Sequence, residues 1–138
     1  MLAALLATAS ILDLPVSAAA PASEPVRLEI ANVKSPSVLR CQLVLAHFVT
    51  LALERIGPES RAIIQLQRDM QAGTLFYPRA DGRPMALENV FCGLDDDWQA
   101  NRVDLDLQPL RGGEGELLLI VCDGGRGLAC ASNKLSAE

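Results

Sequence analysis

The chain has 138 residues, enough for one domain and too few for two ordinary cores. Half of it is apolar, so a packed core is expected and general disorder is not. A net charge of −5, with basic residues scattered singly, argues against nucleic acid and against adsorption to anionic lipid.

Residues 1–20 read as a secretory signal peptide. Leu2 to Leu12 is an apolar run that suits an h-region and is too short to span a bilayer. Small residues then gather from Val16 to Ala20, placing cleavage near Ala18 or Ala20. The one departure is an n-region without Lys or Arg. Residues 21–25 make an extended leader, and 26–131 are expected to form a single globular domain.

Val26 to Val33 begins with period-two alternation (Val26, Leu28, Ile30 against Arg27, Glu29), the pattern of a half-buried strand. Ser35-Pro36-Ser37 breaks it. The stretch from Val38 to Ile56 is ambiguous. As a strand it puts Cys41, Leu43, Leu45, Val49, Leu51 and Leu53 on one face. As a helix over about residues 36–56 it puts Arg40, His47, Thr50 and Glu54 on one polar stripe. Its neighbours favour a strand. Gly57-Pro58-Glu59-Ser60 is a turn, and Ala62, Ile64 and Leu66 alternate with polar residues. Gly73 to Tyr77 favours extended chain, and Asp81-Gly82 marks a hairpin turn.

Apolar residues at Leu87, Val90, Phe91 and Leu94 recur at three and four, which predicts a short helix from Pro84 to Cys92. Asp95-Asp96-Asp97 would cap a further turn that carries Trp98. Val103, Leu105 and Leu107 alternate with charged residues as a strand that Pro109 ends. Leu117 to Cys122 is wholly apolar, as in a central strand. Residues 132–138 read as a flexible tail. Many short strands between turn signals predict a mainly β fold, a small antiparallel β-sandwich braced by disulfides. The alternative is α+β, with the 36–56 helix packed on an antiparallel sheet.

Four cysteines follow the signal: Cys41, Cys92, Cys122 and Cys130. An even count in an exported chain points to disulfides, with three possible connectivities. The flexible Asp123 to Gly127 segment favours Cys122–Cys130. That leaves Cys41–Cys92, a bridge across the domain that suits a sandwich. The chain holds no C-x-x-C and only one His, which speaks against structural zinc and redox dithiol chemistry.

The remaining chemistry is sparse. His47 sits in an apolar stretch, where a structural histidine is the better reading than a catalytic base. The carboxylates of Asp95, Asp96 and Asp97 are the candidate metal ligands, although the EF-hand positions counted from Asp95 hold Ala100 and Asp106. Met70, Met85 and His47 offer copper-type donors without diagnostic spacing. The Gly-rich segments lack a nucleotide-binding pattern, so no cofactor is expected. Trp98 and the loop arginines Arg79, Arg83 and Arg126 are candidates for contacting a partner, although a Trp covering one end of the core is the simpler reading.

These residues point to a periplasmic or secreted, non-enzymatic module that binds or assembles another exported or membrane protein. Two other classes stay open. One is a metal-binding protein or metal-dependent enzyme built on Asp95–Asp97. The other is an inhibitor of an exported hydrolase.

Overall fold

The computed structural model describes residues 22–33 and 36–133. The expected signal peptide, with both cleavage positions, and residues 134–138 of the expected tail lie outside the described residues. The fold is mainly β. Nine strands are β1 (Ser23–Val33), β2 (Leu39–Leu45), β3 (Val49–Ala52), β4 (Arg61–Asp69), β5 (Leu75–Pro78), β6 (Pro84–Leu94), β7 (Arg102–Asp104), β8 (Leu117–Asp123) and β9 (Ala129–Asn133). One helical turn, α1 (Gln108–Arg111), joins β7 to β8.

The strands form one sheet in the order β3-β2-β6-β5-β4-β1-β8-β9. β7 takes the edge of β6 opposite β2. All pairs are antiparallel except β1 with β8, which run parallel with Leu28 beside Leu118. The fully antiparallel expectation is corrected there. One apolar cluster collects Val26, Leu28 and Ile30 of β1 with Leu43 and Leu45 of β2, Ile64 and Leu66 of β4, and Ile120 of β8. A single sheet shares one core this way by folding over on itself, which is compatible with a sandwich.

The ambiguous 38–56 stretch is β2, a three-residue 3-10 turn at Ala46–Phe48, and β3. The helix alternative is overturned. Leu39, Cys41, Leu43 and Leu45 are all buried at period two, which a helix would distribute around its circumference.

The helix expected over Pro84–Cys92 is also overturned, because these residues are β6. The cause is a β-bulge. Val44 pairs with Asn89 and Leu45 with Leu87, so Glu88 is the extra residue. Leu87 and Val90 therefore both point into the core, three apart, and imitate helical spacing.

Smaller corrections follow at strand ends. Ser23–Pro25, expected as leader, start β1, and Ser132 and Asn133, expected as tail, end β9. β7 stops at Asp104, although Leu105 and Leu107 remain buried. Pro109 sits in the first turn of α1, where a missing N–H costs nothing. The Asp106 Oδ1 accepts the Gln108 N–H at 2.9 Å and starts that turn.

Both disulfides are present. Cys41–Cys92 joins residues that face each other on β2 and β6, and Cys122–Cys130 does the same on β8 and β9. Cys41–Cys92 closes the long loop expected of it, and each bond ties neighbouring strands. The Cα atoms lie 4.1 Å apart in each pair. Such closeness belongs to non-hydrogen-bonded antiparallel sites.

Two of the buried polar residues, Arg68 and Asn32, brace the two ends of β1. Arg68 is 5% exposed. Its Nε donates to Glu24 Oε1 at 2.9 Å, and Nη1 donates to the carbonyls of Leu110 and Gly115 at 2.8 Å each. A buried guanidinium survives only with such partners, and here it locks α1 and the following loop onto β4. Asn32 closes the far end of β1. Its Nδ2 donates to the carbonyls of Ser37 and Ile56 at 2.9 and 3.1 Å.

Candidate interaction surface

The residues singled out from sequence do not converge. Trp98 lies on the outer face of the sheet, neither capping the core nor standing alone. Arg40 of β2, Gly93 of β6 and Arg102 of β7 form one cross-strand row. The indole fills the space above Gly93, where a Cβ would come within 2.7 Å of the Trp98 Cε3 and 2.9 Å of the Asn101 carbonyl. The guanidiniums of Arg40 and Arg102 stand 4.6 and 5.6 Å from its ring centroid. Cation–π attraction and packing on a bare backbone therefore hold the ring in place.

Arg126 lies in the β8–β9 turn. Arg79 and Arg83 lie in the β5–β6 turn, at the opposite end of β6 from Trp98. The acidic triplet is spread among local partners. Asp95 Oδ1 accepts from Arg55 Nε at 3.0 Å, and Asp97 Oδ2 accepts from Asn101 Nδ2. Among the described residues no group of three or more His, Cys, Asp or Glu side chains is placed to hold a metal ion. Met85 is half-buried, and its sulfur accepts from Arg79 Nη1 at 2.9 Å. Met70 is exposed in the β4–β5 turn, away from His47 at the β2–β3 tip.

A cleft of about 650 Å³ is lined by Glu88, Asp104 and Asp106 with Asn89, Gln108 and Arg111. Its polar groups are already engaged in part. Asp106 accepts the Gln108 N–H, and Arg111 Nη2 donates to the carbonyls of Leu87 and Glu88 at 3.1 and 2.9 Å.

The surface that stands out is the tip of the β2–β3 hairpin. His47 and Phe48 have φ of 63° and 61°. Consecutive left-handed residues are the usual province of Asn and Gly, and each bulky side chain there costs about 1–2 kcal/mol. The strain is spent on exposure, because Phe48 is 93% accessible. Pairing of Leu45 with Leu87 brings this tip beside the start of β6, hence beside the β5–β6 turn. At the β5–β6 turn lies a groove of about 420 Å³, lined by Tyr77, Pro78, Arg79, Ala80 and Asp81 together with Leu51 of β3.

This end thus joins a projecting ring, an apolar groove and two arginines. Asp81 is locally engaged, its Oδ1 accepting the Arg83 N–H at 3.0 Å. Sequence reading found the arginines and missed Phe48. The available signal was a scarce aromatic next to the only His, with a polar residue at Thr50 interrupting the apolar run.

No helix among the described residues is long and apolar enough to cross a membrane. Comparison of the chain with protein-family models, with curated proteins and with solved structures finds no match.

Proposed function

We propose that this chain is an exported, non-enzymatic accessory or assembly module, periplasmic or secreted. In this reading it docks on another exported or membrane protein through the end that carries Phe48. The observation behind it is the left-handed His47-Phe48 tip with a 93% exposed ring. Strain of that kind persists where a fold has use for it. A rigid aromatic with few torsions is an efficient anchor, since little entropy is lost when it enters a pocket. The groove and the arginines Arg79 and Arg83 would form the rim around that anchor.

Two disulfides support an oxidising compartment, where such bonds form and persist. The expected signal peptide points the same way.

The test uses the full chain expressed in its own host. A photo-crosslinking phenylalanine analogue replaces Phe48, and the captured protein is identified and purified. The wild type should then bind that protein in isolation, and Phe48→Ala should weaken binding by about 2 kcal/mol, roughly thirtyfold. The variant's melting temperature should stay unchanged. Unaltered affinity of Phe48→Ala for every captured protein would refute this reading.

A further inference from the structure

We infer that β9 is a redox latch: a displaceable edge strand whose docking depends on the Cys122–Cys130 bond and is undone when a dithiol reductant cuts it. This goes beyond the interaction reading and rests on a different end of the sheet.

Four observations carry it. First, among the described residues β9 ends the sheet and pairs with β8 alone. Second, it buries almost nothing. Ala129, Ala131, Ser132 and Asn133 are all exposed, and only Cys130 is half-buried. Five small residues give little apolar burial to offset the entropy of ordering them. Third, the two cysteines differ in burial. Cys122 is fully buried, whereas Cys130, packed against the edge of the core, is only half-buried. Fourth, Cys41 and Cys92 are both fully buried within the core, so the other disulfide is shielded from the same reagent.

The chemistry balances with one dithiol. Its thiolate attacks the Cys130 sulfur, the S–S bond breaks, and Cys122 leaves as a thiolate that takes a proton. The second thiol of the reagent attacks the mixed disulfide and releases Cys130. The reagent ends as a cyclic disulfide, and the protein gains two electrons and two protons. β8 then becomes the edge of the sheet.

The register supplies an internal control. Arg27 N–H donates to the Glu116 carbonyl, and Cys122 faces Cys130 at a non-hydrogen-bonded site. The amides of Leu118, Ile120 and Cys122 therefore face β1, and those of Leu119, Val121 and Asp123 face β9.

The experiment treats the folded protein with dithiothreitol, traps thiols by alkylation and follows amide hydrogen exchange by NMR. Expected are alkylation of Cys122 and Cys130 alone and exchange at least about tenfold faster at Leu119, Val121 and Asp123. Leu118, Ile120 and Cys122 should keep their protection. A Cys122→Ala/Cys130→Ala protein should show the same split without reductant. The latch is overturned if all four cysteines alkylate together. It is equally overturned if both amide sets lose protection at once, or if β9-facing amides stay protected after reduction.

Discussion

The two disulfides share a geometry and differ in everything around it. Cys41–Cys92 and Cys122–Cys130 each join facing residues on neighbouring antiparallel strands, with Cα atoms 4.1 Å apart. The first sits inside the apolar cluster between β2 and β6, flanked along those strands by buried Leu39, Leu43, Val90 and Leu94. The second joins β8, whose alternate residues Leu118, Ile120 and Cys122 are buried, to β9, none of whose residues is buried. At the β2–β6 site packing and covalent bond act on the same strands. At the β8–β9 site the bond acts beside a backbone ladder with little side-chain burial to support it. A cross-link's consequence is thus set by what the linked strand buries.

Loop length sharpens the contrast. The chain-entropy model gives about 4 kcal/mol for a loop spanning 51 residues and about 2.5 kcal/mol for one spanning 8. The largest effect is therefore expected for Cys41→Ala/Cys92→Ala, which also leaves two buried side chains short of their contacts. Calorimetry should show a melting temperature lowered by roughly 15–30 °C, at about 4–8 °C per kcal/mol for a domain of this size. A drop of only a few degrees would mean that packing alone holds β2 to β6. For Cys122→Ala/Cys130→Ala the expected loss is about 2.5 kcal/mol at most. If that pair proved the more damaging of the two, the contrast between the sites would be reversed.

The cysteine pairing and the fold class were legible in the sequence, whereas the contrast in burial between the two bonds was not. The mainly β class follows from period-two alternation in Val26–Ile30 and Ala62–Leu66, and the structure bears it out. Two misreadings have physical causes. The bulge at Glu88 put Leu87 and Val90 on one face at helical spacing, and nothing local in the sequence announces a bulge. The β2–β3 turn was invisible because its left-handed positions hold His47 and Phe48, where turn chemistry calls for Asn or Gly. The parallel pairing of β1 with β8 is a long-range fact that no local pattern encodes. The site was harder still. Arg79 and Arg83 were visible as loop arginines, but their nearness to Phe48 depends on the register of Leu45 with Leu87.

The outer face over the β2–β6 site gives the next test. Gly93→Ala places a methyl 2.7 Å from the Trp98 ring and 2.9 Å from the Asn101 carbonyl. The ring must leave its seat, and the backbone at Asn101 has little room to follow. A loss of about 1–3 kcal/mol is expected, with a change in Trp98 fluorescence as the ring gains exposure. Trp98 is the single tryptophan, so the signal is unambiguous. An unchanged spectrum and melt would show that the indole is not seated on the strand.

The smallest expected effect on stability has the opposite sign. Phe48→Gly removes a ring that is 93% exposed and frees a residue held at φ 61°. Losing the ring costs the folded state almost nothing, and glycine accepts the left-handed conformation without steric penalty. Glycine also raises the entropy of the unfolded chain, which offsets part of the gain. The net expectation is a stability increase of up to about 1 kcal/mol, read as a melting temperature higher by a few degrees. A variant that is more stable and no longer binds its partner would separate the two roles of this residue. A variant that melts lower would mean that the Phe48 ring contributes to the fold, and its left-handed conformation would then serve stability rather than docking.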